Sequence, residues 1–68
     1  MVEVESRAIA EIGYDSRTTT MTVRFVGGDW YNYFGVPARV YEAFVAAESK
    51  GRFFQNHIRD RYAYRRKR

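Results

Sequence analysis

The strongest constraint on the fold is an alternation of apolar and polar side chains along residues 18–26, TTTMTVRFV. Met21, Val23 and Phe25 occupy every second position in this stretch. Successive side chains of a β-strand point to opposite faces of a sheet, so these three residues share one face. The β-branched residues between them also favour an extended backbone. The pattern therefore predicts a strand with one buried face, and such a strand requires neighbours.

Neighbouring strands are predicted on both sides of this one. Upstream, residues 8–15, AIAEIGYD, form a candidate strand with Ile12 and Tyr14 on one face, and the polar stretch 15–18 supplies turn residues. Downstream, the pair Gly27-Gly28 accepts positive φ and favours a tight hairpin into a third strand at 29–34. The three strands are expected to form an antiparallel sheet.

Two helices are predicted after the sheet. Pro37 suits the first turn of a helix because its missing N–H needs no partner there, and Ser49 resembles the N-cap of a second helix. Apolar residues recur at helical spacing in both segments. They are Val40, Tyr41, Phe44 and Val45 in the first helix, and Phe54, Ile58 and Tyr62 in the second. The expected class is α+β: a three-stranded antiparallel sheet followed by two helices packed on one face.

The chain has 68 residues and no cysteine, and 18% of its residues are aromatic. A chain of this size holds one core, without disulfides, and large aromatic side chains compensate for its small volume. We predict a single domain over residues 1–64 and a disordered basic tail over 65–68, RRKR, which has nothing apolar to bury. The acidic start MVEVES lacks the features of a secretory signal, so a cytoplasmic location is expected.

The length of the Gly27-Gly28 turn leaves the register of the third strand open. A two-residue turn sends Trp30 and Phe34 to the core. A three-residue loop that also includes the next aspartate sends Tyr31 and Tyr33 there instead, because a shift of one residue exchanges the faces. In both cases one pair of aromatic side chains lies on the uncovered face of the sheet, beside an arginine of the second strand.

Charge is unevenly distributed along the chain. Residues 1–49 carry four basic and seven acidic groups, whereas residues 50–68 carry eight basic and one acidic group. A cationic segment combined with exposed aromatic rings is typical of proteins that bind single-stranded nucleic acids. The predicted contact residues are Arg24, Trp30, Tyr31, Tyr33, Arg52, Arg59, Arg61, Arg65, Arg66, Lys67 and Arg68.

Features of an enzyme are sparse in this sequence. The chain has one histidine, and only Asp60 lies near it on the predicted helix face. Acid–base catalysis needs several convergent groups, and a zinc site needs more ligands than one histidine supplies. We therefore predict a binding module that is not an enzyme, with no cofactor, no metal and no membrane partner. Its expected partner is RNA or another single-stranded nucleic acid.

The alternative is a protein-interaction module. The open sheet face or an edge strand would then dock a second copy of the chain, or an acidic protein would bind the basic segment. Exposed aromatic rings and clustered arginines are compatible with both functions.

A series of short motifs in fixed order resembles the KTSC domain family. The motifs are IGYD at 12–15, Val23-x-Phe25, YNY at 31–33, VP at 36–37, Tyr41, S-x-G at 49–51, Phe53-Phe54, Ile58-Arg59 and Tyr62. Each motif alone is weak, but their order and spacing together are specific, and the resemblance covers residues 9–62. The family is named for a region at the C-terminus of some lysyl-tRNA synthetases and is also found as small bacterial and phage proteins.

The resemblance implies a domain for which RNA binding has been suggested and for which no catalytic residues are assigned. It also favours Tyr31 and Tyr33 facing the helices, with Trp30 facing outward. Two positions depart from the family pattern: Glu5-Ser6 stands where the family has a serine pair, and Gln55 stands where an asparagine usually follows the aromatic pair. Any specific contact made by those family residues is not expected here.

Overall fold

Within residues 2–4 and 6–67, which the computed structural model describes, five antiparallel strands form one sheet in the order β1-β2-β3-β4-β5. The strands are β1 (Val2–Glu3), β2 (Ile9–Asp15), β3 (Thr20–Phe25), β4 (Trp30–Tyr33) and β5 (Tyr64–Lys67). Helices α1 (Ala38–Ala46) and α2 (Lys50–Phe53) lie between β4 and β5, and α2 continues into a π-helical turn, Phe54–Ile58. The predicted α+β class is confirmed, with one additional strand at each end of the predicted sheet.

Strands β2 and β3 contain the predicted alternation. Ile12 pairs with Val23 and Tyr14 pairs with Met21, so their side chains share the core face. The register shifts between Ile9 and Glu11, as in a β-bulge. The extra residue keeps Ile9 on the same face as Ile12, and both side chains are fully buried. The strand therefore contributes core residues at a spacing that strict alternation does not allow.

The β3–β4 loop decides the register that the sequence left open. The Phe25 N–H donates to the Asp29 carbonyl at 2.8 Å, which closes a three-residue loop, Val26–Gly28. Gly27 and Gly28 have φ of 113° and 104°, a region that glycine alone adopts without strain. The loop has the three-residue length of the second alternative but lies one residue earlier than residues 27–29.

This register directs the two tyrosines toward the core face. Tyr31 pairs with Val23 and Tyr33 pairs with Met21, whereas Trp30 pairs with Arg24. Tyr33 is only 5% exposed. The orientation favoured by the family resemblance is therefore confirmed: the tyrosines face the helical side and Trp30 faces the uncovered side of the sheet.

The predicted disordered tail needs correction. Arg65, Arg66 and Lys67 belong to β5, which pairs along the whole length of β4. The main-chain pairing continues one step further, because the Phe34 N–H donates to the Ala63 carbonyl at 2.9 Å. An edge strand is held by backbone hydrogen bonds and needs no apolar side chain at every position, so side-chain composition could not reveal it. Arg68 lies outside the described residues.

The helices pack on the sheet face that carries the core. Pro37 is the N-cap of α1, which begins one residue later than predicted, and the Tyr14 ring stacks on Tyr41 of α1 at 5.0 Å between centroids. Ser49 caps α2 as predicted, and its Oγ accepts from the Arg52 N–H at 3.2 Å. The helical segment ends at Ile58, so half-buried Tyr62 lies in the turn beyond it rather than on the helix face.

The core lies between the helices and the sheet. Its buried members, in the described part of the chain, are Ile9, Ile12, Met21, Val23, Tyr33, Val36, Phe44 and Ile58. Phe44 is the largest fully buried side chain and stacks on Phe53 at 5.3 Å between centroids. Phe44 is therefore the buried anchor of α1, and the stack of Tyr41 on Tyr14 adds a second contact with the sheet.

Replacing Phe44 with alanine is expected to lower the free energy of unfolding by about 3–5 kcal/mol, because removal of a buried aromatic ring leaves a cavity in the core. A domain of this length has a total stability of roughly 3–10 kcal/mol. Urea denaturation followed by circular dichroism measures the loss. Phe34→Ala is the control, since Phe34 is 42% exposed, and should cost less than about 1 kcal/mol. Equal losses for the two variants would contradict the assignment of Phe44 to the core.

Candidate nucleic-acid interface

Eight of the eleven predicted contact residues fall on two surfaces, on opposite sides of the sheet. Arg24, Trp30 and Lys67 form one row across β3, β4 and β5, and Thr22, Asn32 and Arg65 form the next row. Residues paired across antiparallel strands share a face. Because Tyr31 and Tyr33 face the helices, these two rows face away from them. We call the six residues of the two rows the Trp30 face.

Two cationic side chains flank the indole ring of Trp30. The Arg24 Cζ lies 5.7 Å from the ring centroid, and the Lys67 Nζ lies 5.9 Å from it. Both distances are within the range of cation–π attraction. The indole is therefore held in place on a half-exposed surface by one side chain from each neighbouring strand.

The charge of Arg24 is balanced locally. Its Nε donates to the carboxylate of Glu11, which is its paired residue on β2. Lys67 and Arg65 have no carboxylate within 4.0 Å among the described residues. The cations of the Trp30 face that are not neutralised by an ion pair in this part of the chain thus come from β5, the strand that the sequence did not predict.

A fixed amide completes the Trp30 face. The Thr22 hydroxyl donates to Oδ1 of Asn32 at 2.7 Å. This hydrogen bond orients the side-chain amide of Asn32. Neither N–H of that amide has an acceptor within residues 2–4 and 6–67. Asn32 therefore offers two hydrogen-bond donors beside the indole ring.

A second surface lies on the helical side, where the rings of β4 and β5 meet the π-helical turn. Tyr64 packs against Tyr31 and Tyr33, with both centroid distances at 5.7 Å. Phe54 makes an edge contact with Tyr33 at 5.6 Å. The rings border a cleft of about 370 Å³, which we call the tyrosine cleft. It is lined by Phe25, Asp29, Tyr31, Tyr33, Phe54, Arg59, Asp60 and Tyr64.

The tyrosine cleft carries charged groups of both signs. Asp29 accepts from the Arg66 guanidinium at 2.8 Å, so these two groups neutralise each other. Arg59 and Asp60 also line the cleft and are exposed. Asp60 has φ of 63°, a left-handed conformation that is uncommon for residues other than glycine.

Tyr33 has a strongly perturbed ionisation. Burial of the side chain, together with the neighbouring Tyr31 and Tyr64, raises the pKa of Tyr33 to about 12, and the positive charge of Arg59 opposes this rise. The phenol is therefore held in its neutral form, as a hydrogen-bond donor, at every physiological pH.

The other predicted contacts are dispersed. Arg52 lies on α2 beside Glu48 and Asn56, and Arg61 lies in a groove with Arg39 and His57 on the helical side. The structure thus brings Arg24, Trp30, Arg65 and Lys67 together on the Trp30 face, and Tyr31, Tyr33, Arg59 and Arg66 around the tyrosine cleft. Arg52 and Arg61 belong to neither surface, and Arg68 lies outside the described residues.

Sequence reasoning missed seven residues of these surfaces. They are Thr22 and Asn32 on the Trp30 face, and Phe25, Asp29, Phe54, Asp60 and Tyr64 around the tyrosine cleft. Thr22 and Asn32 were signalled by the alternation itself, since each lies on the polar side of its strand. Tyr64 had no comparable signal, because an aromatic residue before a basic run does not indicate a strand. Its role depends on the pairing of β5 with β4.

His57 and Asp60 do not form one site. The His57 ring packs against Phe53 at 4.6 Å between centroids, whereas Asp60 lies beyond the end of the helical segment and lines the tyrosine cleft. The part of the chain that the structure describes contains no group of three histidine, cysteine, aspartate or glutamate residues placed to hold a metal ion. It also contains no helix with the length and hydropathy to cross a bilayer.

Comparison with known proteins identifies the family. The KTSC domain model matches residues 5–62, which is most of the chain. The chain belongs to the KTSC domain family. The fold agrees: a crystal structure of a KTSC domain protein from Yersinia pestis superposes with a TM-score of 0.94 at 37% identity, covering 98% of this chain and 94% of that one.

KTSC relatives occur both as small proteins and within longer ones. A protein of Tsukamurella paurometabola is 42% identical over 62 residues, covering 91% of this chain and 92% of that protein. A lysine–tRNA ligase of Trichormus variabilis is 38% identical over 64 residues, covering 94% of this chain but only 11% of the ligase. The similarity to the ligase is therefore confined to a small part of that protein.

The raised pKa of Tyr33 predicts a loss of stability at alkaline pH. A tyrosine with a pKa of 10.0 when unfolded and about 12 when folded favours the folded state at low pH. Its contribution is complete below pH 10, decreases as the unfolded chain ionises, and is lost as the pH passes 12. Urea midpoints of wild type and Tyr33→Phe are measured from pH 8 to pH 12, and the wild-type midpoint should fall relative to that of Tyr33→Phe above pH 10. Parallel curves would contradict the burial of this phenol.

Proposed function

We propose that this KTSC domain binds single-stranded RNA through the Trp30 face and is not an enzyme. The observation that supports the proposal is the indole of Trp30, held between Arg24 and Lys67 on the sheet face that the helices leave uncovered. Rings on an open sheet face, bordered by cations, are a common arrangement in proteins that bind unpaired bases.

The two kinds of side chain on this face have separate tasks. Trp30 offers a flat surface for one base, and stacking of a base on an aromatic ring contributes ~1–3 kcal/mol. Lys67 and Arg65 supply phosphate contacts. For a base to stack on the indole, one flanking cation has to leave the ring, and the flexible ammonium of Lys67 moves more readily than Arg24, which is tethered to Glu11.

The ion pair of Arg24 and Glu11 positions the indole of Trp30 and adds little net positive charge to the face. Their ion pair keeps the guanidinium against one side of the indole and leaves little net charge at that end of the row. A phosphate is therefore expected to bind at the β5 end of the face, beside Lys67 and Arg65. The orientation of the bound RNA across the sheet follows from this difference in charge between the two ends of the row.

The side-chain amide of Asn32 discriminates between bases. Its two amide donors lie one row from the indole, and an amide held in this way can bond to the edge of a base stacked on Trp30. Carbonyl oxygens and ring nitrogens accept such bonds. The proposal therefore includes a modest preference among bases in addition to charge-driven affinity.

Two of the relatives support the choice of RNA over other polyanions. Lysine–tRNA ligases of Trichormus variabilis and Nostoc punctiforme contain a segment 38% and 33% identical to this chain. By name, both proteins act on tRNA. A small RNA-binding segment is useful in such a protein.

Trp30 provides an intrinsic reporter, because it is the single tryptophan of the chain. Addition of a short unstructured RNA should quench its fluorescence with saturation. Trp30→Ala should weaken the binding of a labelled RNA by roughly 5- to 150-fold, the loss of one stacked base. Tyr62→Ala is the control ring outside both surfaces. Equal affinities of wild type and Trp30→Ala would exclude the indole from the interface.

Salt dependence separates the phosphate contacts from the remaining cations. Lys67→Gln should reduce the slope of log affinity against log salt by about 0.7, the value for one phosphate contact on a single strand. Arg52→Gln removes an equal charge from α2 and should leave the slope unchanged. Point variants are needed because deletion of RRKR would remove most of β5. Identical slopes for both variants would indicate a diffuse charge effect.

The protein-interaction alternative has one observation in its favour. Strand β5 lies at the edge of the described sheet, so one side of its backbone is not paired within it. All four of its residues are exposed, and three are cationic. These charges oppose pairing with a second copy but suit an acidic extended segment. Sedimentation at rising protein concentration tests self-association: a constant monomer mass would exclude it.

A further inference from the structure

We infer that the tyrosine cleft binds a purine nucleoside monophosphate, either as a free nucleotide or as the terminal nucleotide of an RNA strand. This site lies on the helical side of the sheet and shares no residue with the Trp30 face. It therefore stands even if the Trp30 face binds no RNA.

The size and walls of the cleft suit one planar ligand. Its volume of about 370 Å³ lies near the lower end of the range for small-molecule sites. Tyr31, Tyr33 and Tyr64 form a continuous aromatic wall, with centroids 5.7 to 6.4 Å apart. Rings this close to one another touch and leave no gap between them. The wall therefore presents a surface for stacking rather than a cage around a cation.

Tyr33 supplies a polar group at the base of the cleft. The residue is 5% exposed, yet its hydroxyl makes no hydrogen bond to any described part of the protein. The hydroxyl is also not sealed from solvent, because the described residues contain no buried side-chain oxygen without a partner. The small exposed part of Tyr33 therefore includes its O–H, which reaches the cleft that the residue lines.

The charges at the rim select an anion with a hydrogen-bonding ring. Asp29 is already paired with Arg66, so among the described residues that line the cleft Arg59 is the cation left to meet a ligand. Arg59 would repel an organic cation. The guanidinium of Arg59 matches a phosphate group in shape and charge. The Asp60 carboxylate accepts hydrogen bonds, and purines that carry amino or imino N–H groups, as guanine does, donate them. The aromatic wall thus matches the flat face of the base, the Arg59 guanidinium matches the phosphate, and the Asp60 carboxylate matches the N–H groups at the edge of the base.

The first test measures binding of GMP and guanosine by chemical-shift perturbation of the labelled chain and by calorimetry. GMP should shift the resonances of Tyr33, Tyr64 and Arg59 with saturation, and guanosine should bind about 10- to 100-fold more weakly because it lacks the charged contact. Arg59→Gln should weaken GMP by a similar factor. Tyr33→Phe, which keeps the ring, should weaken it about 2- to 10-fold. Arg52→Gln is the control and should leave GMP binding unchanged, since Arg52 belongs to neither surface.

A second arm distinguishes the two sources of the nucleotide. A short RNA with a terminal phosphate is titrated into Trp30→Ala, which isolates the cleft from the Trp30 face. Saturable cleft shifts with GMP identify a free nucleotide, and cleft shifts with the phosphorylated RNA alone identify a strand terminus; both support the site. Two results would overturn it: no saturable cleft shifts with either probe, or inorganic phosphate binding as tightly as GMP, which would reduce the site to a lone arginine.

Discussion

The pairing of Arg24 with Trp30 across β3 and β4 is the constraint on which the rest of the structure depends. It follows from a three-residue loop whose two glycines adopt positive φ. Because side chains alternate along a strand, this single register assigns every aromatic residue of β4 to a side. Tyr31 and Tyr33 become part of the helical side, and Trp30 becomes the centre of the uncovered side. A shift of one residue would exchange the two surfaces.

Strand β5 connects the basic segment to both surfaces. Alternation places Arg65 and Lys67 with Trp30, and Tyr64 and Arg66 with the paired tyrosines. One short strand thus supplies two of the three cations of the Trp30 face, Arg65 and Lys67, and one ring of the tyrosine cleft. The basic residues at the end of the sequence are divided between two surfaces of different composition, because the extended backbone of β5 directs alternate side chains to opposite faces of the sheet. The match to the KTSC family model ends at residue 62, just before this strand.

Those parts of the fold that rest on side-chain periodicity could be predicted from the sequence. The alternation of Met21, Val23 and Phe25, the burial of Phe44 and the N-cap at Ser49 each have a local physical cause that is visible in the chain. The register of β4 could not be derived from the residues alone, since Gly27-Gly28 accepts turns of two lengths. Strand β5 was missed because main-chain hydrogen bonds to a distant strand leave no pattern in side-chain hydropathy.

The candidate site was predictable in composition but not in arrangement. Arginine and aromatic content indicated a polyanion, and that indication remains the basis of the proposal. Which arginines act together depends on tertiary placement: Arg24 is tied to Glu11, Arg66 to Asp29, and Arg52 lies away from both surfaces. The amino-acid sequence does not distinguish these arginines from one another, because their partners come from distant parts of the chain. The structure divides them into groups with separate surroundings.

Mapping of the bound strand by NMR is the most direct test of the central claim, that the uncovered sheet face is the RNA surface. The labelled chain is titrated with a short single-stranded RNA at moderate salt. We expect saturable shifts at the indole N–H of Trp30, the amide of Asn32 and the backbone of Arg65 and Lys67, with α1 unaffected. Shifts confined to α2 and Arg61, or no shifts at all, would contradict it.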